Sequence, residues 1–332
     1  MKPVRIAQIG SGHDHAPAAF KTLLNLKEHF DLIGFAESTP GREVPELYNE
    51  VPRYTVEELL AMPDLEAVAI ECEELNATAV AQKFADKGVA IYLDKPGSPN
   101  AAAFDHLMET IEQKHLPFQM GYMYRYNPSV QKLMGMAKRG ELGDIYSVEA
   151  HMSVRHLNEK REWLGQFKGG MTYFLGCHLI DMVLQLQGEP LEVIPLNCST
   201  HIEDVHTEDF GFVAFRYDNG VSFIKTCAAE ANGFYRRQLV VCGSKGTYEI
   251  KPFEKHESGG MQSSPTTVAL VKDNPEHKWH NFAQPQENVV HDRYETMMQR
   301  FAQSVRGAEN AYPCSYEKML FHTLMKCCKV GY

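Results

Sequence analysis

The sequence predicts an α/β protein in two parts: a doubly wound parallel sheet over residues 1–122, then an α/β domain with a large, mostly antiparallel open sheet over 123–332. Three observations predict it. From the start to about Gly121, short apolar runs alternate with helical stretches, the order that builds a parallel sheet covered on both faces. The first apolar run, Val4 to Ile9, breaks directly into Gly10-Ser11-Gly12, as a strand does when it turns into a phosphate-facing helix. Beyond Gly121 the strand-like runs crowd together, with Asp218-Asn219-Gly220 placed as a hairpin turn between two of them.

In order, the first part places strands near 3–9, 31–36, 66–71, 89–93 and 117–120, with helices near 15–28, 56–61, 76–87 and 100–114. Asn100 stands where an N-cap belongs, just after Pro96 and Pro99 close off the strand that holds Lys95. The second part opens with a helix over 128–139 and a strand over 145–153. A glycine-led helix from about Gly170 to Leu186 follows, then strands near 192–200, 209–217, 221–229, 236–243 and 246–250. The polar, proline-bearing stretch 254–286 reads as a surface excursion that helps to shape a pocket. Helices close the chain near 287–306 and 315–330.

At 332 residues, roughly two domains' worth of chain, with 44% hydrophobic and 23% charged residues, the composition is that of an ordinary globular protein. A net charge of -10 argues against a nucleic-acid partner, which calls for a clustered basic face. No run reaches membrane-spanning length and no leader-like apolar segment opens the chain, so a cytoplasmic location without membrane partners is the expectation. The eight cysteines lack paired C-x-x-C spacing and several fall in apolar runs, so they read as reduced core residues, Cys327-Cys328 included.

Gly10-Ser11-Gly12-His13 supplies the first two glycines of G-x-G-x-x-G, with His15 where the third would stand. Glu37 closes the next strand, where an acidic side chain accepts hydrogen bonds from the adenosine ribose hydroxyls and repels a 2′-phosphate. NAD is therefore expected over NADP, with Arg42 close enough in sequence to offset that charge and leave NADP open. His13, Asp14 and His15 carry metal-ligand chemistry, as does the group His201, Glu203, Asp204, His206, Glu208 and Asp209. Helix capping for the first and a solvated loop for the second are the expectation, and no metal.

The glycine turn, Asp94-Lys95-Pro96, the passage Gly121 to Pro128, Gly143-Asp144-Ile145-Tyr146 and the stretch Gly169-Gly170 through His178 and Asp181 together resemble the Gfo/Idh/MocA oxidoreductases over nearly the whole chain. The resemblance implies an amino-terminal Rossmann domain and hydride transfer between a nicotinamide and a sugar, polyol or related carbinol. Relatives usually carry Glu-Lys-Pro, whose lysine contacts the reacting hydroxyl. Lys95 keeps that lysine, and Asp94 replaces the acid. The family helix reads Asp-x3-His-x2-Asp, and Phe174, His178 and Asp181 occupy those positions, so the first acid is missing. Where relatives have a Thr-Pro-Asn-like turn beside the nicotinamide ribose, this chain has Cys72-Glu73-Glu74, two carboxylates that could bind ribose hydroxyls or repel phosphates.

The implied chemistry needs a base for the hydroxyl proton and a positive group at the oxygen. His178, an imidazole with an ordinary pKa of about 6.5, suits the first, and Lys95 the second. Tyr124, Arg125, His156, Phe174 and Asp181 are candidates for substrate contacts, Asp181 also for a structural role. The contrasting class is a non-catalytic nicotinamide-binding sensor, motivated by Phe174 and Glu73-Glu74. A metal-dependent hydrolase built on His13, Asp14 and His15 is a third. An open sheet in the second domain would expose a large apolar patch, which predicts a homo-oligomer.

Overall fold

The computed structural model describes residues 2–330, and these form two compact units, residues up to 123 with 294–321, and residues 124–293 with those from 322 onward. In the first unit the chain runs β1 (Val4–Ile9), α1 (Ala16–Asn25), β2 (Phe30–Ala36), α2 (Val56–Ala61), β3 (Ala67–Ile70), α3 (Glu74–Lys87), β4 (Ala90–Leu93), α4 (Ala101–Gln113) and β5 (Phe118–Met120). The strands pair in parallel in the order β2-β1-β3-β4-β5. All four residues of β3 and of β4 are buried, as strands covered on both faces must be. Asn100 caps α4 as expected, its Oδ1 accepting from the Ala103 N–H at 3.1 Å. The chain leaves β1 for β2 on one side and returns to β3 on the other. That order places a crevice at the carboxyl ends of β1 and β3, where open α/β sheets bind ligands.

Residues 294–321 belong with this unit and not with the carboxy-terminal domain in which the sequence reading put them. The reason is packing between residues distant in the chain. Phe301 lies 6.1 Å from Tyr92, Phe321 stacks on Phe104 at 4.2 Å, and the Gln119 side chain donates to the Met297 carbonyl at 2.8 Å. Arg306 donates to the carbonyls of Lys2 and Pro3 and, in bidentate fashion, to Glu66, which fastens this segment to the strand that starts the fold.

The second unit contains α5 (Pro128–Lys138), β6 (Ile145–Ser153), α6 (Asn158–Trp163), α7 (Cys177–Gln187), β7 (Glu192–Pro195), β8 (Phe210–Tyr217), β9 (Gly220–Cys227), β10 (Gln238–Gly243) and β11 (Gly246–Ile250), then β12 (Lys255–His256), β13 (Gln262–Ser263), β14 (Thr266–Leu270) and β15 (Gln284–Pro285). The main sheet has the order β15-β14-β11-β10-β6-β9-β8-β7, antiparallel except for the β6–β9 pair. Tyr217 pairs with Gly220, which makes Asp218-Asn219 the hairpin loop expected from the sequence. One sheet face buries Val148, Ala150, Met152, Val213, Ile224 and Val241. The opposite face carries Phe212 and Phe223, stacked at 5.4 Å, and the exposed Ile194 and Val221.

Three expectations for this unit change. The strand drawn over 192–200 stops at Pro195, with one isolated bridge from Cys198 to Phe210. The excursion over 254–286 adds β14 and β15 to the main sheet and pairs β12 with β13. The loop of acids and histidines before β8 is solvated only in part, because Asp209 is fully buried and accepts from Arg161 at 2.7 and 3.0 Å. Among the described residues, no helix is long and apolar enough to cross a membrane.

Candidate active site

The glycine turn is held closely against the end of β3. Gly10 has φ +87°, and a Cβ there would lie 2.8 Å from the backbone N and Cα of Cys72, so only glycine fits on both counts. A Cβ on Gly12 would meet Glu73 at 2.6 Å. Glu37 follows β2, and its carboxylate accepts from Ser11 N at 3.2 Å and Ser11 Oγ at 2.6 Å, and from the N–H groups of Ser38 and Thr39. Beside it opens a cavity of about 400 Å³, lined by Glu37, Ser38, Tyr54 and Val80 and also by the cations Arg53 and Lys83. Glu73 is the residue preceding α3 and is ion-paired with Arg42, so its charge is met within the turn. Glu74 is buried, 3.7 Å from His13 Nε2.

His13, His15, Glu71, Asp94 and Lys95 meet at the same sheet edge. His15 stands at the N-cap of α1 and makes no capping side-chain bond, contrary to the capping expected of this segment. Its Nδ1 instead lies 3.1 Å from Asp94 Oδ2. His13 is buried, with Nε2 3.0 Å from the Lys95 carbonyl and Nδ1 accepting from the His15 N–H at 3.2 Å, which fixes the tautomer as Nε2–H. Burial, against the attraction of Asp94, pushes the His13 pKa down to about 3. Burial opposes ionisation of Asp94 too, but the facing imidazoles and the Lys95 cation outweigh it and hold that carboxyl below its usual range. Glu71 goes the other way: burial first, then the Asp94 charge, raises its pKa well above that of an ordinary carboxyl. Asp94 Oδ1 accepts from the Lys95 N–H at 2.6 Å, and the Lys95 side chain is buried.

His178 belongs to the second unit, buried on α7, with its ring edge-on to Tyr124 at 4.8 Å. Tyr124 Oη donates to Glu254 at 2.9 Å, and the fully buried Glu254 also receives Arg293 through two hydrogen bonds. Burial and then the Glu254 charge push the Tyr124 hydroxyl up to about 12, so it keeps its proton. Arg237 reaches the Tyr124 oxygen at 3.4 Å. Sequence reading missed Glu254, Arg237 and Arg293, which no local motif marks, although it gave the segment beginning at Glu254 a part in shaping a pocket.

Two further candidates receive structural partners. Asp181 accepts from Arg125 Nε and Nη2 at 3.0 and 2.9 Å and from Gln185 at 2.9 Å, with all of Arg125 buried. Phe174 lies in a π-helical turn, Thr172–Gly176, that precedes α7. The i, i+4 face relation assumed for Phe174 and His178 holds for an α-helix only, and a π turn shifts the phase. The Phe174 ring packs with Leu164, Met171 and Ala228 and lies 5.6 Å from Trp163 and 6.2 Å from the half-buried His156.

Residues 4–122 match the oxidoreductase family described by an NAD-binding Rossmann fold. With a glycine turn at a topological switch point, the fold and site define the class, an oxidoreductase on a Rossmann scaffold. Residues 130–249 match the GFO/IDH/MocA C-terminal domain, and the chain belongs to the Gfo/Idh/MocA family.

Among curated relatives, an uncharacterised oxidoreductase of Schizosaccharomyces pombe is 24% identical over 65% of this chain and 61% of its own length. Trans-1,2-dihydrobenzene-1,2-diol dehydrogenase of Bos taurus is 24% identical over 66% of this chain and 63% of its own. The match thus spans less than two thirds of either relative. UDP-N-acetylglucosamine 3-dehydrogenase GnnA from Acidithiobacillus ferrooxidans superposes with TM-score 0.77 at 17% identity, covering 99% of this chain and 98% of that one. An oxidoreductase of Desulfitobacterium hafniense, to which an NADPH dependence is ascribed, superposes with TM-score 0.82 at 18% identity, covering 99% and 95%. At these identities the likeness shows the fold.

Proposed function

We propose that the protein is a nicotinamide-dependent dehydrogenase that oxidises the CH–OH group of a sugar, polyol or related carbinol. The observation that carries the reading is the placement of a buried lysine, Lys95, at the sheet edge that also bears the glycine turn. The turn suits a dinucleotide: its glycines leave room where a Cβ would collide, and Glu37 lies against Ser11 beside a cavity of adenosine size. Gly10, Ser11, Gly12, His13, Glu37, Glu73, Glu74 and Lys95 would line it.

When bound, NAD supplies the hydride acceptor. The protein's own tasks are to orient the carbinol, to exclude water, and to move one proton. His178 would take the hydroxyl proton as the carbonyl forms, and the Lys95 ammonium would stabilise negative charge on the oxygen. This division requires Lys95 and His178 to meet the same substrate. Tyr124 and His156 would contact the rest of it, while Arg125, Phe174 and Asp181 support the wall. Glu37 favours NAD over NADP by repelling a 2′-phosphate; Arg53 and Lys83 in the same cavity oppose that preference. Self-association would cover the sheet face with Phe212 and Phe223, and free thiols, five of them buried, suit the cytoplasm.

The test is binding followed by turnover. Calorimetric titration with NADH and NADPH should show saturable binding, tighter for NADH. On any active member of a sugar and polyol panel, Lys95→Ala and His178→Ala should each lower kcat about 10²–10⁴-fold. Near-wild-type rates in both variants remove the assignment. Tight NADH binding with no turnover on any substrate would point to a sensor.

A further inference from the structure

We propose that His13, His15 and Asp94 form a binding site for a divalent transition-metal cation at the carboxyl edge of the parallel sheet. The first support is distance. His15 Nδ1 lies 3.1 Å and His13 Nδ1 3.4 Å from Asp94 Oδ2, and His13 Nδ1 lies 3.6 Å from Glu71 Oε2. Ligand atoms about 2.1 Å from a four-coordinate cation are about 3.4 Å from one another, so the two distances to Asp94 match edges of such a shell. One donor atom each from His13, His15 and Asp94 falls within 4.8 Å of the others. Asp14, weighed with the two histidines from sequence alone, and Glu71 both lie outside this group.

The second support is the state of His13. Its Nε2–H points at the Lys95 carbonyl, 3.0 Å away, which leaves the lone pair on Nδ1 and directs it toward the two carboxylates. A histidine that ligates a metal ordinarily donates its other ring N–H to a carbonyl or carboxylate in this way. The His15 N–H now rests on Nδ1 at 3.2 Å, a long contact that a cation would replace.

The third support is Glu71, which lies beside the group, 3.6 Å from His13 Nδ1. It is fully buried at the end of β3, and neither carboxylate oxygen meets a hydrogen-bond donor. A buried carboxylate without a donor is strongly disfavoured unless its charge is neutralised. A neighbouring cation does this. Two imidazole nitrogens with one carboxylate suit Zn²⁺, Mn²⁺, Fe²⁺ or Co²⁺ rather than the all-oxygen shells of Ca²⁺ and Mg²⁺. Through the His13 contact to the Lys95 carbonyl, the occupied site would stiffen the backbone that carries Lys95.

Metal-stripped full-length chain, equilibrated with Co²⁺ and separately with Zn²⁺ and passed over a desalting column, should retain about one ion per chain by elemental analysis, with visible d–d bands for Co²⁺. His15→Ala and Asp94→Asn should each weaken Co²⁺ binding at least 10-fold, and Glu46→Gln, at an exposed position outside the group, should leave it unchanged, with circular dichroism confirming folding in all three. Wild-type chain that retains no ion overturns the proposal and leaves a proton shared between Glu71 and Asp94. Undiminished binding in either ligand variant overturns it as well. No dinucleotide is present in the measurement, so its failure and that of the dehydrogenase reading are separate results.

Discussion

Arg125→Met and Asp181→Leu, singly and together, show whether the buried pair in the second unit is structural. At 2.9 Å and an effective dielectric of about 20, the attraction between the two charges is about 6 kcal/mol before desolvation is subtracted. Breaking a buried pair from one side leaves an uncompensated charge, so each single variant should lose about 3–5 kcal/mol. Replacing both by apolar residues of similar volume removes both desolvation penalties. The double variant should cost no more than either single, a coupling of about 3 kcal/mol or more. The assay is urea unfolding followed by tryptophan fluorescence. Both tryptophans, Trp163 and Trp279, lie in the second unit, and Trp279 is fully exposed, so the signal reports Trp163. Single variants that each cost under about 1 kcal/mol and add without coupling would refute the reasoning, and Asp181 would return to the list of substrate contacts.

Gly10→Ala should destabilise the first unit by about 2–4 kcal/mol, because φ +87° is strained for alanine and the new Cβ meets Cys72 backbone atoms at 2.8 Å; hydrogen exchange in β1 and β3 reads the loss, and unchanged protection counts against it. The Glu66 pKa is lowered from 4.5 to about 2, chiefly by its hydrogen bond from Arg306. With the folded value below the unfolded one, this stabilisation is complete above about pH 4.5 and fades as pH falls toward 2. The deficit of Glu66→Gln in β1 exchange protection should therefore shrink over that window, and a deficit independent of pH would exclude the mechanism. With the native chain, a disulfide reagent should modify Cys198 first, since it is exposed whereas Cys72, Cys177, Cys227, Cys327 and Cys328 are buried. Prompt reaction of Cys327 or Cys328, whose thiols burial holds well above the ordinary range, would contradict the packing.

The parallel sheet was legible because strands buried on both faces are uninterrupted apolar runs, and Ala67–Ile70 and Ala90–Leu93 stand out between helices. The strand Thr266–Leu270 was not, because it sits near the sheet edge in a polar, proline-bearing stretch that looks like a loop. The π turn over Thr172–Gly176 leaves no mark in hydrophobic period, so Phe174 was assigned a face by α-helical counting. In the candidate site, Gly10, Glu37 and Lys95 were readable from their places after strands. Glu71 read as a strand residue and Glu254 as part of a surface segment; what sets them apart is burial beside partners distant in the chain. The attachment of Glu295–Val305 to the first unit is equally non-local.

The Arg306 clamp on Lys2, Pro3 and Glu66 gives synthesis a particular timetable. A ribosome that has just delivered Met123 has released every strand of the parallel sheet but none of residues 294–321. At about 5–20 residues per second, the nascent sheet waits roughly 10–40 s for its last helical cover. In that interval Tyr92 and Phe104 lack the aromatic neighbours that later screen them, so the emerging amino-terminal half is the stage at which this polypeptide would most depend on a chaperone.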